Sequence, residues 1–261
     1  QRKLNGVHFM AYFDGAKIVC YSRSSTIYPE PPHISTELMA MFGAMPEIKP
    51  GEYGTPNDGT YAGAIPYLDG ELYEHGKELR EISGQARKST KDAESLEFHV
   101  FDVMFPLAKS RGHDMSSRDR QDYIDTFFDN VQMPHIRRVE NIAVQSEVTI
   151  HELHDEFIKN GYEGAIARRD SAGYRYSHNG YHSSNLVKIK PVFSNEFIVT
   201  GYFQGTKGKD VGCIIWECIV PNPIDPNDAT FTVVPNMPYA QRSAIFAAFT
   251  ADPTLFERDF R

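Results

Sequence analysis

Two Asp-Gly dipeptides, Asp14-Gly15 and Asp69-Gly70, each lie between short runs rich in β-formers, and they constrain the fold more than any other feature. Asp-Gly supplies the positive φ angles that a tight hairpin turn needs. The first is read as the turn between strands over 7–12 and 16–22. The second is read as the turn between strands over 65–68 and 71–73. Hairpins build antiparallel sheet, and helical patterns lie between them, which places the chain in the α+β class. Residues 96–104 form a continuous apolar run, as a buried central strand does. Pro31-Pro32 ahead of Thr36-Glu37-Leu38-Met39 starts a helix that runs to about Met45. Residues 49–64 are loop, 77–88 a short polar helix or loop, 117–130 a helix, and 136–144 strand-like. Thr149-x-x-Glu152 reads as a capping box opening a helix that Gly161 stops. Glu163 then stands at a helix–strand junction, and 185–190 is a further strand.

Composition changes at 191–195, a linker. Beyond it, strands over 196–203, 213–220 and 229–234 precede a helix over 239–249, the spacing of a small β-barrel. No apolar run approaches the ~20 residues that span a bilayer, and the first residues form no secretory signal. The three cysteines, Cys20, Cys213 and Cys218, contain no Cys-x-x-Cys pair, which fits a reducing compartment and offers no zinc site. A soluble, cytoplasmic protein with no membrane partner is expected.

The net charge of −8 argues mildly against nucleic-acid binding, since phosphate-contacting proteins carry a basic excess. The tail from Asn195 is acidic too, with five Lys+Arg against eight Asp+Glu. A polynucleotide would therefore have to meet a local basic groove, for which the candidates are Lys188/Lys190, Arg168/Arg169, Lys207/Lys209 and Arg137/Arg138.

Six short motifs follow one another: Lys3-Leu4-Asn5-Gly6, Ser22-Arg23-Ser24, Asp69-Gly70-Glu71-Leu72, Phe98-His99-Val100-Phe101-Asp102, Glu163-Gly164-Ala165-Ile166-Ala167-Arg168 and Leu186-Val187-Lys188-Ile189-Lys190. A lysine amine attacks phosphorus only when neutral, and nearby positive charge from Lys188, Lys190 and a divalent metal favours that form. Gly6 lets backbone approach a nucleotide closely. Arg23 offers a bidentate fork for phosphate. Lys188 and Lys190, two apart on a strand, point to one face, where burial without anions would be costly. His151-x-x-His154 has ligand-like spacing but no third ligand, and Gly205, Gly208 and Gly212 read as turns.

As a set, these motifs resemble an ATP-dependent DNA ligase of the small phage- or virus-type, in the covalent nucleotidyltransferase superfamily. The resemblance implies a two-domain α+β protein. A nucleotidyltransferase domain over 1–193, with ATP-grasp-like antiparallel sheets and helices, would precede an OB-fold β-barrel over 194–261, incomplete at its C-terminus. It implies that Lys3 accepts AMP from ATP, and that Lys188 and Lys190 stabilise charge on the transferring phosphoryl group. Arg23 would contact a phosphate, Glu71 the ribose or a metal, and Phe101 would stack on adenine. Asp102 would aid the metal, and Glu163 would bind Mg²⁺. The partner would be nicked double-stranded DNA and the protein a monomer. The family's first motif usually reads Lys-x-Asp-Gly-x-Arg; here Asn5 replaces the Asp and His8 the Arg. Nothing substantial precedes Lys3 and no closing basic motif follows, so a chain cut at both ends and poor at self-adenylation is expected. An RNA ligase, a GTP-using capping enzyme or a non-catalytic clamp of the same fold are the competing readings.

Overall fold

The computed structural model describes the chain apart from residues 46, 89–90, 130–132, 176–183, 193, 222, 224–228 and 261. The end of the helix expected over 117–130 and residue 193 of the expected linker lie outside the described residues. Contacts cluster the chain into two units, Gln1–Pro191 and Val192–Arg261.

The strands are β1 (Arg2–Lys3), β2 (Val7–Phe13), β3 (Ile18–Tyr21), β4 (Tyr67–Tyr73), β5 (Glu97–Met104), β6 (Ile136–Arg138), β7 (Gly164–Arg168), β8 (Leu186–Ile189), β9 (Val199–Gln204), β10 (Ile214–Ile219) and β11 (Thr230–Val233). The helices are α1 (Pro32–Ala44), α2 (Leu79–Lys88), α3 (Pro106–Ser110), α4 (Ser117–Phe128), α5 (Glu147–Lys159), α6 (Tyr239–Ala251) and α7 (Thr254–Phe260).

The first unit holds two sheets. The larger runs β3-β2-β4-β5-β6, antiparallel except for the parallel pair β5–β6. Alternation sorts its residues: Phe9, Ala11, Leu68, Leu72, Phe98 and Val100 are buried in one core with Ile34, Leu38 and Met41 of α1 and Ile82 of α2. Burial at ~25 cal/mol per Å² of apolar surface is what holds this layer together. The smaller sheet, β1-β7-β8, is antiparallel throughout. Lys3 therefore lies on its own short strand, opposite Gly164.

The first expected hairpin forms: Asp14 accepts the backbone N–H groups of Ala16 and Lys17 through Oδ1 between β2 and β3. The second does not. Asp69-Gly70 lies inside β4, which continues unbroken through both residues. Gly70 is there for a close approach: a Cβ would stand 2.2 Å from His99 O and 2.6 Å from the Phe98 ring. A lone glycine in a strand pattern signals this as readily as a turn. Opposite it, β5 bulges. Asp69 pairs with Asp102 and Gly70 with Val100, so Phe101 has no partner on β4.

Helix α5 starts earlier than expected, because Ser146, not Thr149, is its N-cap. Ser146 Oγ accepts from Thr149 N at 3.1 Å, so Thr149 sits at the third helical position. The helix ends at Lys159, ahead of Gly161 as expected.

In the second unit β9, β10 and β11 form an antiparallel sheet in the order β11-β10-β9. Ile214, Trp216 and Cys218 pack on Phe249 of α6 and Phe256 of α7. Among the described residues this sheet has three strands. No helix among the described residues is long and apolar enough to cross a membrane.

Candidate active site

Most of the expected site residues come together in the first unit, from two sources. The small sheet brings Lys3 on β1, Glu163 just before β7, Lys188 on β8 and Lys190 just after it. The large sheet brings His8 on β2, directly opposite Glu71 on β4, which is in turn opposite His99 on β5. Phe101 follows His99 on that face.

Glu163 is the hub. One carboxylate oxygen holds Lys3 Nζ and the other holds Lys190 Nζ. Burial alone would push this carboxyl up, but the two lysines outweigh it and hold it below the ordinary carboxylate range. The backbone keeps the register, with Glu163 N donating to Lys3 O at 3.0 Å. Gly164 makes the junction possible. Its φ is +147°, and a Cβ there would stand 2.1 Å from Ile189 O.

The lysines are not buried as expected. Lys188 is exposed and the Lys190 side chain is 49% exposed. β8 is an edge strand, where water carries the cost of the charge. Lys188 has no carboxylate within ion-pair distance among the described residues. Partial burial, then the charges of Arg23, Lys3 and Lys190, hold its amine below the ordinary lysine range. Arg23 sits on the exposed turn after β3, where Ser22 N donates to Thr26 O, and its charge reaches both Lys188 and Glu71.

Glu71 is pushed up by burial, against the opposing charge of Lys3 and a hydrogen bond from Gly6 N at 3.0 Å. The close approach that Gly6 permits is to β4: a Cβ would stand 2.5 Å from Leu72 O. His8 Nε2 lies 2.7 Å from Asp69 Oδ1, and the Tyr174 hydroxyl donates to Asp69 Oδ2 at 2.5 Å.

Asp102 does not serve a metal. It is fully buried, and its oxygens accept from Arg120 Nε at 2.8 Å, Arg120 Nη2 at 3.1 Å, Arg168 Nη1 at 3.0 Å and Val103 N at 2.9 Å. Arg168 is thus removed from any basic groove, and Arg137 and Arg138 are paired with Glu97 and Asp125. A charge inside an apolar run must find a partner when the strand is buried, and that was the sequence signal for this pairing. His151 and His154 pair separately with Glu147 and Asp155. Among the described residues no group of three or more His, Cys, Asp or Glu could hold a metal. A carboxylate between two ammonium groups can instead exchange a lysine for a phosphate-bound cation, the kind of site Mg²⁺ uses with one or two carboxylates.

A family model for an ATP-dependent DNA ligase domain matches residues 1–190. Among curated proteins, a DNA ligase from a warthog isolate of African swine fever virus is 37% identical over 261 residues, 99% of this chain and 55% of the relative. The DNA ligase of the Badajoz strain of that virus is 36% identical over the same share of each chain. The chain therefore spans about half the length of the curated relatives it matches. A solved structure described as Pmar-Lig_PreS3 superposes with a TM-score of 0.72 at 17% identity, covering 96% of this chain and 55% of that one. A Lig E DNA ligase structure superposes with a TM-score of 0.61 at 20% identity, covering 93% and 79%. At these identities the structural likeness concerns the fold.

Proposed function

Because the chain belongs to the ATP-dependent DNA ligase family, we propose that residues 1–193 are an adenylyltransferase domain and 194–261 an OB-type domain, working together to seal nicks in duplex DNA. One observation carries the reading: Lys3 and Lys190 converge on Glu163, and the charge of Lys3 reaches Glu71 on the neighbouring sheet. A lysine held by a carboxylate beside further cations is a nucleophile with its phosphate-binding charges already assembled.

In the first step Lys3 Nζ, having lost its proton, forms a bond to the α-phosphorus of ATP as the bond to the pyrophosphate oxygen breaks. In the second the 5′-phosphate of the nick takes the AMP from Lys3, which leaves as the amine. In the third the 3′-hydroxyl attacks the activated 5′-phosphate and AMP departs. Lys188 and Lys190 offset charge on the phosphoryl oxygens, Arg23 grips a phosphate, Glu71 accepts from the ribose hydroxyls, and Phe101 stacks on adenine. Glu163, with Glu71, would hold Mg²⁺, which supplies further positive charge against the phosphates. While Glu163 binds the Lys3 ammonium it opposes attack, so loosening that contact is part of activation.

Labelled ATP with Mg²⁺ tests the reading. A covalent lysine-linked AMP adduct, stable in alkali and cleaved by acid as a phosphoramidate is, is expected, and Lys3→Ala abolishes it. An unchanged adduct in that variant would sink the nucleophile assignment. Nicked DNA with an all-DNA strand, rather than nicked RNA, should discharge the adduct.

A further inference from the structure

Phe101 is held far more tightly than a ring in a strand needs to be. The bulge leaves its carbonyl without a strand partner, and two side-chain amides take it: Gln1 Nε2 and Gln121 Nε2, each at 3.1 Å. Bulges beside active sites re-aim side chains in this way. The ring is met by the Arg168 guanidinium, whose Cζ lies 5.4 Å from the ring centroid, within cation–π range.

Arg168 has little freedom to swing away. Nη1 donates to Asp102 Oδ2 at 3.0 Å and Nε donates to Gln1 Oε1 at 3.1 Å. Asp102 is itself clamped by Arg120. Gln1 is two residues from Lys3, and Ile166 N donates to Gln1 O at 2.8 Å, which registers that segment on β7. The strand that Glu163 leads into therefore reaches across to the bulged strand through Arg168. The segment that carries Lys3 reaches the same carbonyl, and Arg168 itself, through Gln1.

We infer that Arg168 is a positioning residue that fixes the plane of the Phe101 ring relative to Lys3, and so sets how a nucleotide base is presented to the nucleophile. The inference rests on the reading of Phe101 as the base-stacking ring. Arg168 acts through Phe101 and touches no phosphate, because its charge is committed to Asp102.

A double-mutant cycle read by calorimetric ATP binding decides it, since two residues that act through one contact are not additive. Phe101→Ala and Arg168→Ala should each weaken ATP binding about tenfold, a shift of ~1.4 kcal/mol. The double variant should bind no more than about twofold worse than Phe101→Ala alone. Inorganic tripolyphosphate, which has no base, should bind the parent and Arg168→Ala equally. Arg168→Met, which keeps the aliphatic stem, replaces the alanine variant if circular dichroism shows that variant unfolded. A full tenfold loss from the Arg168 change in the Phe101→Ala background would overturn the inference, as would weakened tripolyphosphate binding or unaltered ATP binding in the single Arg168 variant. A parent chain that binds no ATP would sink the functional reading and the inference together. Additive losses on a parent that binds ATP and forms the lysine adduct would sink the inference alone.

Discussion

The first unit contains two clusters built to one formula, a carboxylate between two cations, and they sit in opposite environments. Glu163 sits between Lys3 and Lys190 with 25% of its side chain exposed, and Lys190 is 49% exposed. Asp102 sits between Arg120 and Arg168 at 1% exposed, with Arg120 at 3%. Lysine is a compact point charge on a flexible stem and can lose its proton; arginine is a planar fork that stays charged. Water and lysine make the Glu163 cluster exchangeable, so a phosphate or a metal ion can take a partner's place. Burial and arginine make the Asp102 cluster permanent. The counterion type and its access to solvent, more than the presence of an ion pair, separate an exchangeable group from a fixture.

The largest effect expected from breaking this contrast is on the buried side. Among the described residues, Asp102→Ala leaves Arg120 as a buried charge with two backbone carbonyls, of Met115 and Ala172, as acceptors. Removing one member of a buried pair costs about 3–5 kcal/mol, so chemical denaturation should show a loss in that range or no folded protein at all. A loss under about 1 kcal/mol would mean that water reaches this cluster as it does the other.

Glu163→Gln should reverse the pattern. Lysine-adduct formation should fall by on the order of 10². The stability change should stay below about 1 kcal/mol, because solvent screens the pair. A variant that melts early but labels normally would make Glu163 the fixture, and the contrast would collapse.

How much of this was legible depended on whether a signal was local. The apolar run ending at Met104 gave β5, and Pro32 gave the first turn of α1 because proline fits there and nowhere deeper in a helix. Lys3, Glu163, Lys188 and Lys190 are legible as motif members, although the convergence of Lys3 and Lys190 on Glu163 is not. Asp69-Gly70 misled because the same dipeptide serves a turn and a close strand approach, and only the neighbouring strand decides between them. The capping serine of α5 lost out to Thr149, since both hydroxyls precede a plausible helix. That Asp102 needs a partner follows from its place in an apolar run, but Arg120, 18 residues away on a helix, is not marked as that partner, and the bulge that aims Phe101 depends on register, which one strand's sequence does not contain.

The smallest effect sharpens the comparison within the site itself, where Glu163 and Glu71 should push acid stability in opposite directions. The Glu163 carboxyl lies below its ordinary range, so the unfolded chain takes up that proton first as pH falls. Its contribution is present at neutral pH and is lost as pH drops through its folded value. The Glu71 carboxyl lies above its ordinary range because burial disfavours its charge. Its burden is absent in acid, grows as pH rises from the ordinary carboxylate value toward the folded value, and is complete above it. Glu71→Gln should therefore raise stability at neutral pH, since an amide oxygen can still accept from Gly6 N, whereas Glu163→Gln should lower it. Each change should be under about 1 kcal/mol and should shrink toward about pH 4, near the ordinary carboxylate value. Urea titrations of both variants at the two pH values measure it. Changes of the same sign at neutral pH would show that the two glutamates share one environment, and that the division between a paired, exchangeable carboxylate and a desolvated one is wrong.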